Sequence, residues 1–182
     1  MALEKCFQDM ILRIYRMELF GLAQLAVFSA LIFCTIYRKW YGRRWLRICI
    51  GLALAAWLGG VLWMTLLSRN GGSAVRFDWI MLHTYWRVLC GENRELIRSA
   101  FMNVVLFFPG GLLLAALMPE KWSFRQGMCC AIVVFMAFGL FIELSQYFRQ
   151  LGTAEIDDVL HNTLGAGLGY AAFHLDLDNK TQ

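Results

Sequence analysis

Residues 99–118 read Ser99-Ala-Phe-Met-Asn-Val-Val-Leu-Phe-Phe-Pro-Gly-Gly-Leu-Leu-Leu-Ala-Ala-Leu-Met118, without a single charged side chain. A helix that crosses the hydrocarbon core of a bilayer needs about 20 consecutive residues of this kind. Runs of similar length that are mostly apolar occupy residues 19–37, 48–67, 128–148 and 157–175, of which the third contains Glu143 and the last begins with Asp157 and Asp158. The sequence therefore predicts an all-α fold, an integral membrane helical bundle with about five transmembrane helices.

The composition of the whole chain favours the same class. The chain has 182 residues, of which 59% are hydrophobic and 16% charged, and its mean hydropathy is +0.54. Soluble domains carry about 25% charged residues, so disordered chains, collagen-like chains and ordinary cytosolic enzymes are excluded. We predict an amphipathic segment over 1–18, a first span, basic loop and start of the second span over 19–59, the main transmembrane domain over 60–175, and a tail over 176–182.

The distribution of positive charge predicts the orientation in the membrane. Five basic residues separate the first two apolar runs: Arg38, Lys39, Arg43, Arg44 and Arg47. Such a cluster could bind nucleic acid, but between two spans it indicates a cytoplasmic loop, because cytoplasmic loops are enriched in Lys and Arg. We therefore expect a membrane protein that crosses the bilayer several times. Its N-terminus would lie outside and its C-terminus inside, and no nucleic acid would bind.

Two further features of the sequence, an aromatic-rich segment and the cysteines, bear on this arrangement. The aromatic-rich stretch 77–89 is too short and too charged to span the membrane, so we predict an interfacial helix or a re-entrant piece. The six cysteines include no Cys-x-x-Cys pair, which indicates neither a disulfide framework nor a zinc site. A bridge between Cys6 and Cys90 would require both residues to face outward.

Polar residues near the predicted outer ends of the spans are candidates for function, since polar groups within a membrane are costly. In the predicted topology, eight of them fall in one extracytoplasmic layer and suggest an outward-facing ligand pocket: Arg69, Asn103, Glu143, Gln146, Arg149, Asp157, Asp158 and Asn162. Glu143, Gln146 and Arg149 recur every three residues and therefore share one helix face.

Proline and glycine residues predict how the helices bend and pack. Pro109 cannot donate a backbone hydrogen bond. Together with Gly110 and Gly111, it predicts a helix break beside the pocket. Gly165 and Gly169 lie four residues apart, a spacing that allows two helices to approach closely.

Several chemical roles remain open for these residues. Glu143 is a candidate catalytic acid or base, or else the partner of Arg69 or Arg149 in an ion pair. Asp157, a second catalytic candidate, and Asp158 could hold a divalent cation together with Glu143. Alternatively, the two aspartates favour a helix N-terminus, with Thr153 as its N-cap. His161 could pair with Asp157 around a metal or in a proton relay, whereas Asn103, Gln146 and Asn162 are expected mainly to link helices.

The order of these motifs resembles the VanZ-like family of bacterial membrane proteins over about residues 60–173, and so assigns 60–175 to a VanZ-like domain. The matching segments are Thr65–Arg69, Asn103–Gly111, Ile142–Gln146 and Ile156–Gly165, followed by Gly169-Tyr170. The family's polar and helix-bending positions fall on Arg69, Asn103, Pro109, Gly111, Glu143, Gln146, Asp157, Asp158, Asn162 and Gly165. The chain departs from the pattern at Gly110, at His161, and in the loop 151–155, where the resemblance leads us to expect an Arg and an Asp.

The resemblance implies a multi-pass helical fold in the bacterial cytoplasmic membrane and a link to low-level resistance against teicoplanin, a glycopeptide antibiotic. The expected partner is then a membrane lipid, a lipid-linked cell-wall precursor or the antibiotic itself. The alternative is a membrane-embedded hydrolase or transferase that uses Glu143 and the aspartate pair on a lipid-linked substrate. A structural partner of envelope machinery is a third possibility. No cofactor is expected apart from a possible divalent cation, and neither catalysis nor oligomeric state follows from the sequence.

Overall fold

The computed structural model describes residues 43–68, 76–91, 95–119 and 121–178, and these form an all-α fold. The elements are α1 (Arg43–Leu62), a π-helical turn (Trp63–Leu67), β1 (Arg76–Asp78), α2 (His83–Leu89), α3 (Glu95–Leu117), α4 (Phe124–Phe148), β2 (Thr153–Glu155) and α5 (Ile156–Asp178). The predicted all-α class is thereby confirmed. The predicted amphipathic segment 1–18, the first span and Arg69 lie outside the described residues.

Three described helical segments are long and apolar enough to cross a membrane: Arg44–Leu67, Leu96–Leu117 and Phe124–Phe148. They coincide with the predicted spans at 48–67, 99–118 and 128–148. The run at 157–175 is also helical, as α5, but α5 is not one of the three, because polar residues fill its first turns. Helix α1 includes Arg43, Arg44 and Arg47, so the predicted basic loop does not extend to residue 47. Arginine has a high helix propensity, and its long stem suits a membrane-facing helix end.

Helices α3 and α5 run parallel, and glycines on α5 allow the two backbones to pack in close contact. A Cβ atom on Gly165 would lie 2.2 Å from the Val104 carbonyl oxygen, and one on Gly169 would lie 2.0 Å from that of Phe108. Helix α4 runs the opposite way, with Gly139 beside Val159. The relative directions of these three helices are those that the predicted topology requires.

The predicted helix break at Pro109 is wrong, because α3 continues through it without interruption. The two glycines that follow Pro109 serve helix packing. A Cβ on Gly110 would meet the Trp57 ring at 2.6 Å, and one on Gly111 would lie 1.9 Å from the carbonyl oxygen of Ala166. These glycines admit neighbouring atoms to a continuous helix.

The core lies between α1, α3 and α4. The Trp57 ring meets Phe107 and Phe135 edge-on, with ring centroids 5.6 and 6.0 Å away, an arrangement that aromatic quadrupoles favour. The start of α4 is fixed by a capping box, in which the Ser123 hydroxyl accepts from the Gln126 N–H and the Gln126 side chain accepts from the Ser123 N–H. The capping box satisfies two backbone donors that would otherwise lack a partner at the start of α4.

A short parallel pairing joins two connections that are distant in the chain. Strand β1 pairs with β2 so that Arg76 faces Thr153, Phe77 faces Ala154 and Asp78 faces Glu155. Thr153 therefore lies in a strand and does not cap α5, which begins at Ile156. The pairing brings the segment 76–91 over the end of α4 and the beginning of α5.

Candidate functional site

Buried polar side chains gather where α4 ends and α5 begins. Glu143 is 3% exposed, Gln146 4%, Asp157 2%, His161 5% and Asn162 4%. Burying so many polar groups is costly unless each finds a hydrogen-bond partner. Together with Thr65, Thr84, Arg149 and Glu155, we refer to these residues as the polar layer.

The end of α4 is tied to the π-helical turn after α1. The Gln146 side-chain amide donates to the carbonyl oxygen of Thr65 at 3.4 Å, and the Arg149 guanidinium donates to that of Leu66 at 3.0 Å. The last carbonyls of a helix lack intrahelical donors, so these side chains complete the end of α1. The three-residue spacing that placed Gln146 and Arg149 on one face accounts for both contacts.

Glu143 connects α4 with β2. Its carboxylate accepts a hydrogen bond from the backbone N–H of Glu155 at 3.0 Å. Since β2 is paired with β1, this single side chain positions both strands over the bundle. The geometry gives Glu143 a structural contact, and its role as an acid or base stays a prediction.

Asp157 caps the short helix α2. Its two carboxylate oxygens accept from the backbone N–H groups of Leu82 at 2.6 Å and Thr84 at 2.9 Å. Leu82 is the N-cap of α2 and adopts a left-handed conformation with φ of 61°. The carboxylate thus satisfies donors at the start of a helix more than 70 residues earlier in the chain, while its predicted role as an ion ligand stays untested.

One turn along α5, His161 forms a second link to α2. Its Nε2 lies 2.9 Å from the Tyr85 hydroxyl. Asp157 and His161 share one face of α5, at positions i and i+4, and hold the same short helix. Within the described part of the chain, His161 Nδ1 and Asn162 Oδ1 are buried polar atoms that make no hydrogen bond.

The edge of the polar layer carries two carboxyl groups with opposite pKa shifts. Burial raises the pKa of Glu155, reinforced by Asp78 and Asp157 and opposed by Arg87. Burial also acts to raise the pKa of Asp78, but hydrogen bonds from His83 and the Ile80 N–H outweigh it and lower that pKa. Asp78 is therefore the residue that favours a negative charge here, and Glu155 the one that resists it.

The other predicted site residues are less closely engaged. Asn103 is half-buried on α3, and Asp158 is half-buried in the first turn of α5. Across the described ranges, no three His, Cys, Asp or Glu side chains cluster as metal ligands. Sequence reasoning missed Thr65, Thr84, Tyr85 and Glu155, because their contacts run through backbone groups or across remote segments.

A helical protein with apolar spans and a buried polar layer at one end belongs to the class of integral membrane proteins. The sequence model of the VanZ/LLP1 family matches residues 52–176, well over half of the chain, and the chain belongs to that family. It is 28% identical over 132 residues to Protein VanZ of Enterococcus faecium, covering 71% of this chain and 76% of that protein. No solved structure shows significant similarity to this chain.

Proposed function

We propose that this VanZ-family membrane protein acts in the bacterial cell envelope and lowers susceptibility to teicoplanin-type glycopeptides. It would do so by recognising an envelope lipid, a lipid-linked cell-wall precursor or the antibiotic at the polar layer, which we place on the extracytoplasmic side. The observation that supports it is the convergence of Glu143, Gln146 and Asp157 in one buried layer. Each of them is fixed to the backbone of another segment.

Pre-organisation is the physical argument for a binding site. Polar groups already held in place lose little conformational freedom when a ligand arrives, so less of the interaction energy is spent on ordering them. The relative at 28% identity is named Protein VanZ, and this name supports the proposal that the antibiotic is a teicoplanin-type glycopeptide.

Susceptibility to teicoplanin and vancomycin in a sensitive Gram-positive host tests this function. Wild type should protect against teicoplanin, and Glu143→Gln and Arg69→Ala should abolish protection at equal membrane levels. Arg125→Ala, which removes an exposed arginine at the start of α4, far from the polar layer, is the matched control for Arg69→Ala. Absence of protection by wild type, or equal protection by all variants, would reject the proposal.

A hydrolase or transferase is the second candidate, and the burial of Glu143 favours it. A carboxyl group that is shielded from water can act as a general acid or base. The experiment is turnover of a lipid-linked precursor by purified protein in vesicles. Glu143→Gln should abolish turnover while the thermal unfolding temperature stays within a few degrees of wild type. If turnover persists in Glu143→Gln, this mechanism is wrong.

A further inference from the structure

The segment from Trp79 to Leu89 has one side held by protein and another that is strongly apolar and uncovered. Its exposed apolar residues are Trp79 (69%), Ile80 (61%), Met81 (62%), Leu82 (59%), Trp86 (66%) and Leu89 (80%). Four of them are consecutive, a pattern that soluble surfaces avoid unless something covers it. We call these six residues the apolar tip.

We infer that the apolar tip is seated in the bilayer interface beside the polar layer, with membrane lipid as its occupant. The inference does not depend on the proposed antibiotic function. It rests on the backbone hydrogen bonds of the segment, on the continuity of its surface with a membrane-spanning helix, and on the sidedness of α2.

Several backbone N–H groups of the segment are paired inside the protein, which favours entry into an apolar medium. The N–H of Ile80 donates to Asp78 at 3.1 Å, and those of Leu82 and Thr84 donate to Asp157. The N–H groups of Tyr85 and Trp86 both donate to the Leu82 carbonyl. This pairing reduces the cost of moving the segment from water into an apolar medium.

The apolar surface continues onto the end of a span. Trp79 stacks on Phe77 with ring centroids 3.8 Å apart, and Phe77 meets Tyr147 edge-on at 5.8 Å. Tyr147 in turn meets Phe148, which is 76% exposed at the end of α4. Because α4 is long and apolar enough to cross the membrane, this aromatic row extends its lipid-facing surface to the tip.

Helix α2 is held by polar contacts with α5 and with β1, where His83 pairs with Asp78. Asp157 binds the start of α2 and His161 binds Tyr85, whereas Trp86 and Leu89 are exposed. Tryptophan next to aliphatic side chains suits the headgroup level of a bilayer. The tip therefore fits the boundary between phospholipid headgroups and acyl chains.

Site-resolved thiol labelling tests the inference on the full chain in phosphatidylglycerol–phosphatidylethanolamine vesicles. Met81→Cys and Ile80→Cys are compared with Thr153→Cys, an exposed position on β2. A water-soluble maleimide is loaded on both faces by freeze–thaw, and peptide mass spectrometry distinguishes each adduct from the native cysteines. Because thiolate formation is suppressed in apolar surroundings, we expect both tip positions to react about tenfold more slowly than Thr153→Cys, with rates equalised in dodecyl sulfate.

Three outcomes would overturn the inference. Equal rates at the tip and at position 153 would place the tip in water. Slow labelling at all three positions would mean that a broader cover hides this end of the protein. Tip labelling that accelerates as the protein is diluted with lipid would make a second copy of the chain the occupant. Two independent tip positions keep the test valid if one variant fails to fold.

Discussion

The Oδ1 atom of Asp157 accepts a hydrogen bond of 2.6 Å from the backbone N–H of Leu82, 75 residues earlier in the chain. The other carboxylate oxygen accepts from the N–H of Thr84. One buried side chain thus holds Leu82 in its left-handed backbone conformation and caps α2. This contact fixes the connection between two spans onto the first turn of α5.

Replacing Asp157 should release α2 from the bundle. Asp157→Ala leaves two backbone donors without their carboxylate. Because hydrogen bonds to charged groups contribute about 2 kcal/mol each, the unfolding free energy should fall by roughly 2–4 kcal/mol. Asp157→Asn keeps one acceptor oxygen and should fall between wild type and Asp157→Ala. Thermal unfolding in detergent measures both. Thr163→Ala is the control, since that hydroxyl bonds only within its own helix; a loss as large as that of Asp157→Ala would contradict the cap.

Adding one methyl group at Gly165 should separate two helices. Its Cβ would lie 2.2 Å from the Val104 carbonyl oxygen, a backbone atom that cannot rotate away. Overpacking of this kind costs about 1–3 kcal/mol, so Gly165→Ala should lower the unfolding temperature and the yield of monodisperse protein. Gly167→Ala on the same helix meets only the Met128 sulfur at 3.8 Å, and its gain in helix propensity should leave stability unchanged or higher. If Gly167→Ala were more destabilising than Gly165→Ala, the close approach of α3 and α5 at Gly165 would be refuted.

Gly127 should not tolerate a larger side chain, for a different reason. A Cβ there would lie 1.9 Å from the Tyr170 hydroxyl oxygen and 2.7 Å from its ring carbon, while Tyr170 is 1% exposed. Gly127→Ala should therefore destabilise the bundle, and adding Tyr170→Phe should restore part of the loss. Unfolding temperatures of the two single variants and the double variant form the cycle. Purely additive effects would mean that the two residues are not in conflict.

The opposite pKa shifts at the strand pair predict opposite pH dependences. Burial raises the pKa of Glu155, so the ionised form of this side chain destabilises the fold. The loss of stability develops as the pH rises above about 4.3, the pKa of a glutamate in the unfolded chain. Glu155→Gln should raise the unfolding temperature at pH 7 and have no effect well below pH 4. Unfolding temperature against pH provides the measurement, and a pH-independent difference would contradict it.

Asp78 is the matched control, with the reverse sign. Although burial opposes it, hydrogen bonds from His83 and the Ile80 N–H lower the pKa of Asp78. Ionised Asp78 therefore stabilises the fold at pH values above about 3.9, the pKa of an aspartate in the unfolded chain. This stabilisation is lost as the pH falls through the lower pKa that Asp78 has in the folded protein. Asp78→Asn should be less stable than wild type at pH 7, and the difference should close in acid.

Several features of the fold could be predicted because each depends on a local pattern. Apolar runs of sufficient length located α1, α3 and α4, and the three-residue spacing placed Glu143, Gln146 and Arg149 on one face. The four-residue spacing of Gly165 and Gly169 anticipated a close helix pair. The effect of Pro109 could not be predicted, since a proline implies a lost backbone hydrogen bond but does not show whether the surrounding packing keeps the helix continuous.

The sequence by itself determined the class of protein, because hydropathy and helical periodicity are properties of contiguous residues. Only the tertiary structure decided what the polar residues contact. Asp157 binds the backbone of α2, Glu143 the backbone of β2, and Gln146 that of the π-helical turn. A backbone N–H or carbonyl is present at nearly every position, so side-chain identities carry no signal of such partners. They become defined only when the packing of α3, α4 and α5 brings distant segments together.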